Sequence, residues 1–167
     1  MIANSQFNVL FLCTGNSARS ILCETMLNHL GDKRFKAFSA GSQPKGEVHP
    51  MTLDILKKYG ISTDECKSKS WDEFAGDSAP AMDIVVTVCA NAAAEVCPVW
   101  PASPVSAHWG MDDPVAVEGT SKEQELAFEQ TLRIARSAVS DLVSTVLADP
   151  NPDTLAARIN LISLAPT

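Results

Sequence analysis

The stretch that most constrains this chain is Val9-Leu10-Phe11-Leu12-Cys13, which follows Asn8 and stops at Thr14-Gly15-Asn16-Ser17. A strand with one wet face alternates apolar and polar residues, whereas an unbroken apolar run fits a strand buried on both faces, as in parallel sheets. The turn cluster leads into Ala18–Leu30, where Ile21, Leu22, Thr25, Met26 and Leu30 recur at helical spacing and Gly31 stands at a C′ position. A buried strand, a polar turn and a helix in that order put the turn at the carboxyl end of a strand. Open α/β sheets bind their ligands there.

The rest of the chain repeats the alternation. Lys36–Ala40 reads as a second strand, closed by Gly41-Ser42-Gln43-Pro44. Pro50–Tyr59 reads as a helix, with Pro50 in its first turn, an apolar face of Met51, Ile55 and Leu56, and Gly60 as its stop. Met82–Cys89 is a third strand, β-branched and apolar enough for burial on both faces. Asn91–Cys97 is an Ala-rich helical turn or loop, broken by Pro98, Pro101 and Pro104. Val105–Trp109 is a fourth strand and residues 110–120 a loop. Ser121, with Gln124 three residues later, is expected to cap a helix over Lys122–Leu147. Its Leu126, Phe128, Leu132, Ile134, Val139, Leu142, Val143 and Val146 read as sheet-covering core. Asp149–Asp153 breaks it, and Thr154–Leu164 forms a last helix. Right-handed crossovers then require a parallel sheet with helices on both faces. Residues 1–148 are expected to form the catalytic domain. Residues 149–167 are expected to be a helical extension, packed on it or on a partner chain, in a monomer or weak dimer.

Composition narrows the partners. Thirteen Lys and Arg against 20 Asp and Glu give a net charge of −7, with no basic surplus to neutralise nucleic acid or an anionic membrane. No stretch is long and apolar enough to span a bilayer, and Met1–Gln6 carries no charged leader region. The cysteines, Cys13, Cys23, Cys66, Cys89 and Cys97, are odd in number and do not suggest a secreted disulfide framework, so a reducing cytoplasm is expected. No Cys/His spacing suits zinc, and no metal is expected.

The segment Cys13-Thr14-Gly15-Asn16-Ser17-Ala18-Arg19-Ser20 carries the chemistry. N–H groups of the Thr14, Gly15, Asn16, Ser17, Ala18 and Arg19 stretch can converge on one anion, helped by the positive end of the following helix. Arg19 offers a guanidinium fork for two further oxygens. The same field is expected to hold Cys13 as a thiolate, well below the ordinary thiol range, with the Ser20 hydroxyl donating to the sulfur. Gly15 permits close approach, and Asn16 tolerates a left-handed conformation. Cys23 reads as core and Cys66 as an exposed, incidental thiol. His49 and His108 read as structural, and Trp100 as cover for an apolar patch.

Phe11–Ser20, Ser39-Ala40-Gly41, Val85–Cys89 and His108-Trp109-Gly110-Met111-Asp112-Asp113-Pro114 together resemble arsenate reductases of the low-molecular-weight protein tyrosine phosphatase fold. The resemblance implies a three-layer, flavodoxin-like α/β fold with a four-stranded parallel sheet. It implies Cys13 as nucleophile towards arsenate or a phosphate-like oxyanion, and Asp113 as the acid that protonates the leaving oxygen. Cys89 matches the second thiol of such reductases and Cys97 the resolving one. It also implies a remnant of a cation site at Asn16, Glu24 and Ser39, where the Lys69 ammonium can stand in for the metal.

Two features bear on the branch taken. Phosphatases of this fold carry a tyrosine pair after the Asp-Pro, but here the residues are Val115-Ala116-Val117. The Cys89–Cys97 spacing is a residue longer than in the thioredoxin-coupled reductases, so two routes stay open. Cys89 attacks the Cys13 adduct internally, or glutathione with glutaredoxin does so from outside. No tightly bound cofactor is implied; reducing equivalents come from thioredoxin or from glutathione and glutaredoxin. The alternatives are a phosphatase of the same fold and a non-catalytic, thiol-based oxyanion or redox sensor.

Overall fold

The computed structural model describes residues 6–31 and 33–165; Met1–Ser5, read above for a leader, lies outside them. The strands are β1 (Phe7–Cys13), β2 (Phe35–Gly41), β3 (Ile84–Thr87) and β4 (Val105–His108). The helices are α1 (Arg19–Leu30), α2 (Pro50–Lys58), α3 (Ala90–Ala94), α4 (Ser121–Ala148) and α5 (Pro152–Asn160). All strand pairs are parallel, in the order β2-β1-β3-β4. The β1–β2 register runs from Phe7 opposite Phe35 to Cys13 opposite Gly41. Cys13 and Gly41 therefore end side by side at the carboxyl edge, with Cys89 just past the end of the next strand.

The continuous apolar runs are explained by two cores. Val9, Phe11, Ile84 and Val86 point into the larger one, shared with Leu22, Leu27, Leu56, Leu132, Val139 and Leu142 of the long helices. Leu10, Leu12 and Val85, one residue out of phase, face a smaller core with Ala40, Phe74 and Met82, against which Trp71 and Trp100 pack. That alternation is the strand period of two, applied to strands with no wet face.

Several boundaries differ from the sequence reading, each for a local reason. α4 is capped by Thr120, not Ser121: Thr120 Oγ1 accepts from Glu123 N at 3.2 Å. Thr-x-x-Glu competes with Ser-x-x-Gln one residue later, and the acidic side chain also suits the helix N-terminus. Leu126 is 55% exposed, so it does not join the core face. α5 starts at Pro152, which was read as a breaker; Asn151 caps it through a bond from Asp153 N at 3.0 Å, and proline fits the first turn. The short 3₁₀ turn Trp71–Phe74, capped by Ser70, had no strong periodic signal and was missed. α5 packs through buried Leu155 and Ile159, and Trp109 Nε1 donates to the Ile159 carbonyl at 3.1 Å. No described helix is long and apolar enough to cross a membrane.

Candidate active site

The turn after β1 is held from outside by its carbonyls. Gln43 N donates to the Thr14 carbonyl and Lys45 N to that of Gly15, both at 3.0 Å. The Ser17 carbonyl accepts from His49 N at 3.0 Å and from Thr52 Oγ1 at 2.8 Å. In a trans peptide the N–H points away from its carbonyl, so these bonds turn the Gly15, Asn16 and Ala18 N–H groups the other way. The Asn16 N–H shows the result, donating to Cys13 Sγ at 3.1 Å. Asn16 has φ +46°, the left-handed conformation the sequence reading allowed it. Ala18 precedes α1 without a side-chain cap, which leaves first-turn N–H groups for an anion.

Cys13 is buried at the base of this turn, with Ser20 Oγ 2.9 Å from its sulfur. Its thiol is pushed up from the usual range, chiefly by burial, against the lowering effect of Ser20 and the Asn16 N–H. This reverses the expected thiolate. The guanidinium that was to stabilise it faces elsewhere: Arg19 Nη1 donates to the Met111 carbonyl at 3.1 Å, and Nη2 lies 3.4 Å from Asp113 Oδ2. Asp113 also caps the turn after it, accepting from Val115 N at 3.0 Å. Cys13 to Arg19 and Asp113 line one cavity of about 260 Å³ with Gln43, Lys45, Asn91 and Val115.

Asn16 is fully buried and every polar atom of its amide is used. Nδ2 donates to Ser20 Oγ at 2.8 Å and to Ser39 Oγ at 3.0 Å, while Oδ1 accepts from Lys69 N at 2.7 Å. Ser39 Oγ in turn donates to Glu24 Oε2 at 2.6 Å, and Lys69 Nζ lies 3.9 Å from Glu24 Oε1. Asn16, Glu24, Ser39 and Lys69 are thus brought together beneath the turn. Burial pushes the Glu24 carboxyl up, while Lys69 and Ser39 pull it back.

Cys89 is buried and caps α3 by accepting from Ala92 N at 3.3 Å; its sulfur lies 3.7 Å from Thr14 Oγ1. Cys97 lies beyond α3, partly buried between the exposed Val96 and Val99. Burial and Glu95 push its thiol up. Cys23 is core, its sulfur 3.8 Å from Met111 Sδ. Cys66 is not the exposed thiol expected: it packs against the larger core, and burial pushes it up to about 11. His49 caps α2, and His108 Nδ1 lies 2.8 Å from Thr87 Oγ1, both structural.

The sequence reading missed Gly41 as a site residue. A Cβ there would lie 2.4 Å from the Thr14 carbonyl oxygen, so only glycine lets β2 end against the turn. Gln43, Lys45 and Asn91 at the rim were also missed, and no local pattern marked them.

A turn of this construction, rising from a buried central strand and closed by a helix, defines an α/β protein with a buried thiol at the base of a strand-end turn. More narrowly, the chain belongs to the low molecular weight phosphotyrosine protein phosphatase family, whose model matches residues 8–151. It is 39% identical over 123 residues to an arsenate reductase of Halalkalibacterium halodurans, covering 73% of this chain and 84% of that one. Among solved structures, an arsenate reductase of Archaeoglobus fulgidus matches at TM-score 0.63 and 27% identity, over 81% of this chain and 98% of that one. The thioredoxin-dependent arsenate reductase of Corynebacterium glutamicum shares the fold at TM-score 0.61 and 24% identity, over 87% of this chain and 64% of that longer one.

Proposed function

We propose that the protein reduces arsenate to arsenite, with Cys13 as nucleophile and Cys89 as the second thiol. The observation that carries this reading is the buried Cys89 thiol, 3.7 Å from the hydroxyl of the residue that follows Cys13. Hydrolysis of a phosphoester has no use for it. The cavity also has no aromatic ring among its lining residues, which suits a small inorganic anion better than an aryl phosphate.

In this reading the turn's N–H groups and Arg19 hold the oxyanion. Cys13 sulfur bonds to arsenic, an As–O bond breaks, and the oxygen leaves as water. Asp113 supplies its proton and is replenished by the one lost from the Cys13 thiol. Cys89 sulfur then attacks Cys13 sulfur. The S–As bond breaks, its electron pair stays on arsenic, and arsenic passes from the +5 to the +3 state as a Cys13–Cys89 disulfide forms. Arsenite leaves protonated. Cys97 then exchanges with the disulfide, and an external dithiol of the thioredoxin or glutaredoxin type returns two electrons. Such exchange needs a reducing compartment, the cytoplasm. Lys69 serves Glu24 as a fixed cation, so turnover needs no added potassium.

The test uses reduced protein and arsenate without external thiol. One arsenite released with two thiols lost supports the internal step. Arsenite only after glutathione and glutaredoxin are added assigns the attack to an outside thiol. Phosphate release from an aryl phosphate with no arsenite under either condition would overturn the reading.

A further inference from the structure

α3 is held on the oxyanion turn at both ends by one side chain. Thr14 Oγ1 lies 3.7 Å from the sulfur of Cys89, which caps the start of α3, and donates at 3.2 Å to Oε1 of Glu95, which caps its end. Little else fixes the helix. Ala92 is its only buried residue, and Asn91, Ala93 and Ala94 are exposed. Beyond Glu95 the chain carries Val96 at 94% and Val99 at 93% exposure, so no apolar contact on these two side chains anchors the segment around Cys97.

The two carboxylates near the turn differ in their partners. Asp113 has the Arg19 guanidinium. Glu95 lies within ion-pair distance of no cation among the described residues and rests on a neutral hydroxyl. Its carboxylate therefore has no ion-pair partner among the described residues beside a turn suited to a negative charge, and like charges at close range repel strongly where water is partly excluded.

We propose that Glu95 is a positioning residue that latches α3 onto the oxyanion turn, and that an anion in the turn loosens the latch by repelling the Glu95 carboxylate. Occupancy of the turn would then set when Cys89 is uncovered and when the Cys97 segment can swing towards it. In the resting protein the latch keeps the buried Cys89 thiol from stray exchange. The proposal rests on the reductase reading for its purpose, but the motion itself requires no arsenic chemistry.

The experiment uses reduced full-length protein and inorganic phosphate, which occupies the turn without oxidising it. Binding is followed by protection of Cys13 from iodoacetamide, and the latch by amide hydrogen exchange over residues 90–97. In the wild type, phosphate should speed exchange in this segment several-fold. Glu95→Gln keeps an acceptor for Thr14 but no charge, so exchange should stay slow with or without phosphate. Glu95→Ala should exchange fast in both conditions. A segment that exchanges equally slowly in wild type and Glu95→Ala would refute the latch. So would phosphate that protects Cys13 but leaves the wild-type segment unchanged, or that speeds Glu95→Gln as much as wild type. Failure of phosphate to protect Cys13 at any concentration would remove the oxyanion turn and the latch together. Arsenite release, scored separately on the same proteins, tells whether the reductase reading fails while the latch stands.

Discussion

Ser20 makes two contacts of different kinds, and its removal separates them. Its hydroxyl lies 2.9 Å from Cys13 Sγ and accepts from Asn16 Nδ2 at 2.8 Å. It is the largest of the influences that lower the Cys13 thiol against burial. A hydrogen bond to a charged group is worth about 1.5–3 kcal/mol. At about 1.4 kcal/mol per pKa unit, Ser20→Ala should raise the Cys13 thiol by about one to two units. The rate of iodoacetamide reaction at a fixed pH below that value should fall about ten- to a hundredfold, while the plateau at high pH is kept. The same change leaves a buried amide N–H of Asn16 without an acceptor, at a cost of about 1–3 kcal/mol in stability. Ser39→Ala is the control, because it takes the other acceptor of Asn16 and does not touch the sulfur. It should destabilise at least as much, because Glu24 also loses its Ser39 donor, and leave the alkylation profile in place. A Ser20→Ala profile that matches wild type, or a Ser39→Ala profile shifted as far, would refute the reasoning.

Three further outcomes are expected. Gly41→Ala forces a Cβ to within 2.4 Å of the Thr14 oxygen, so it should cost about 1–3 kcal/mol in urea denaturation and weaken phosphate protection of Cys13; an unchanged protein in both assays contradicts the close approach. Asp113→Asn frees Arg19 from a half-buried pair, so phosphate should protect Cys13 at lower concentration. Arsenite release should fall about a hundredfold in the same variant, and full turnover would remove Asp113 as the acid. Because burial raises the Glu24 carboxyl, the folded state binds its proton more readily than the unfolded chain does. Its contribution is full below the unfolded value and is lost as pH rises through the folded one. Lys69→Met removes a lowering charge, so denaturation midpoints should drop more steeply from pH 4.5 to neutrality, and a flatter curve would contradict the pairing.

What was legible in the sequence was local. The unbroken apolar run before Cys13, the turn cluster and the helix behind it marked a strand covered on both faces and the candidate site at its carboxyl end, because burial on both faces leaves a compositional trace. Asn16 in a left-handed turn was likewise readable from residue type. What escaped reading was set by distant parts of the chain. Gly41 matters because the Thr14 carbonyl arrives across the sheet edge, and Lys69 binds Asn16 through its main-chain N–H, which no side-chain pattern reveals. The Cys13 thiol lies above its ordinary value chiefly because it is buried, which outweighs Ser20 and the Asn16 N–H and which no local pattern reports. Arg19 is held by Asp113 and by the Met111 carbonyl, 92 residues away in the case of Met111. The cap of α4 moved by a residue because two similar box patterns overlap there.

The docking of α5 has a consequence for crowding by copies of the same chain. A four-stranded sheet has two outer edges, and an unpaired edge is a template on which another strand can grow. Here the β4 edge gives its His108 N–H to Asn160 Oδ1 at 2.8 Å, and at the other edge Gly41 N donates to the Lys69 carbonyl at 2.8 Å, where Gly41 bridges Ser70. Both flanks are thus blunted at the carboxyl ends of the strands, the end that must stay open to solutes. A neighbouring molecule that tried to zip onto the sheet there would first have to strip off a helix or a loop.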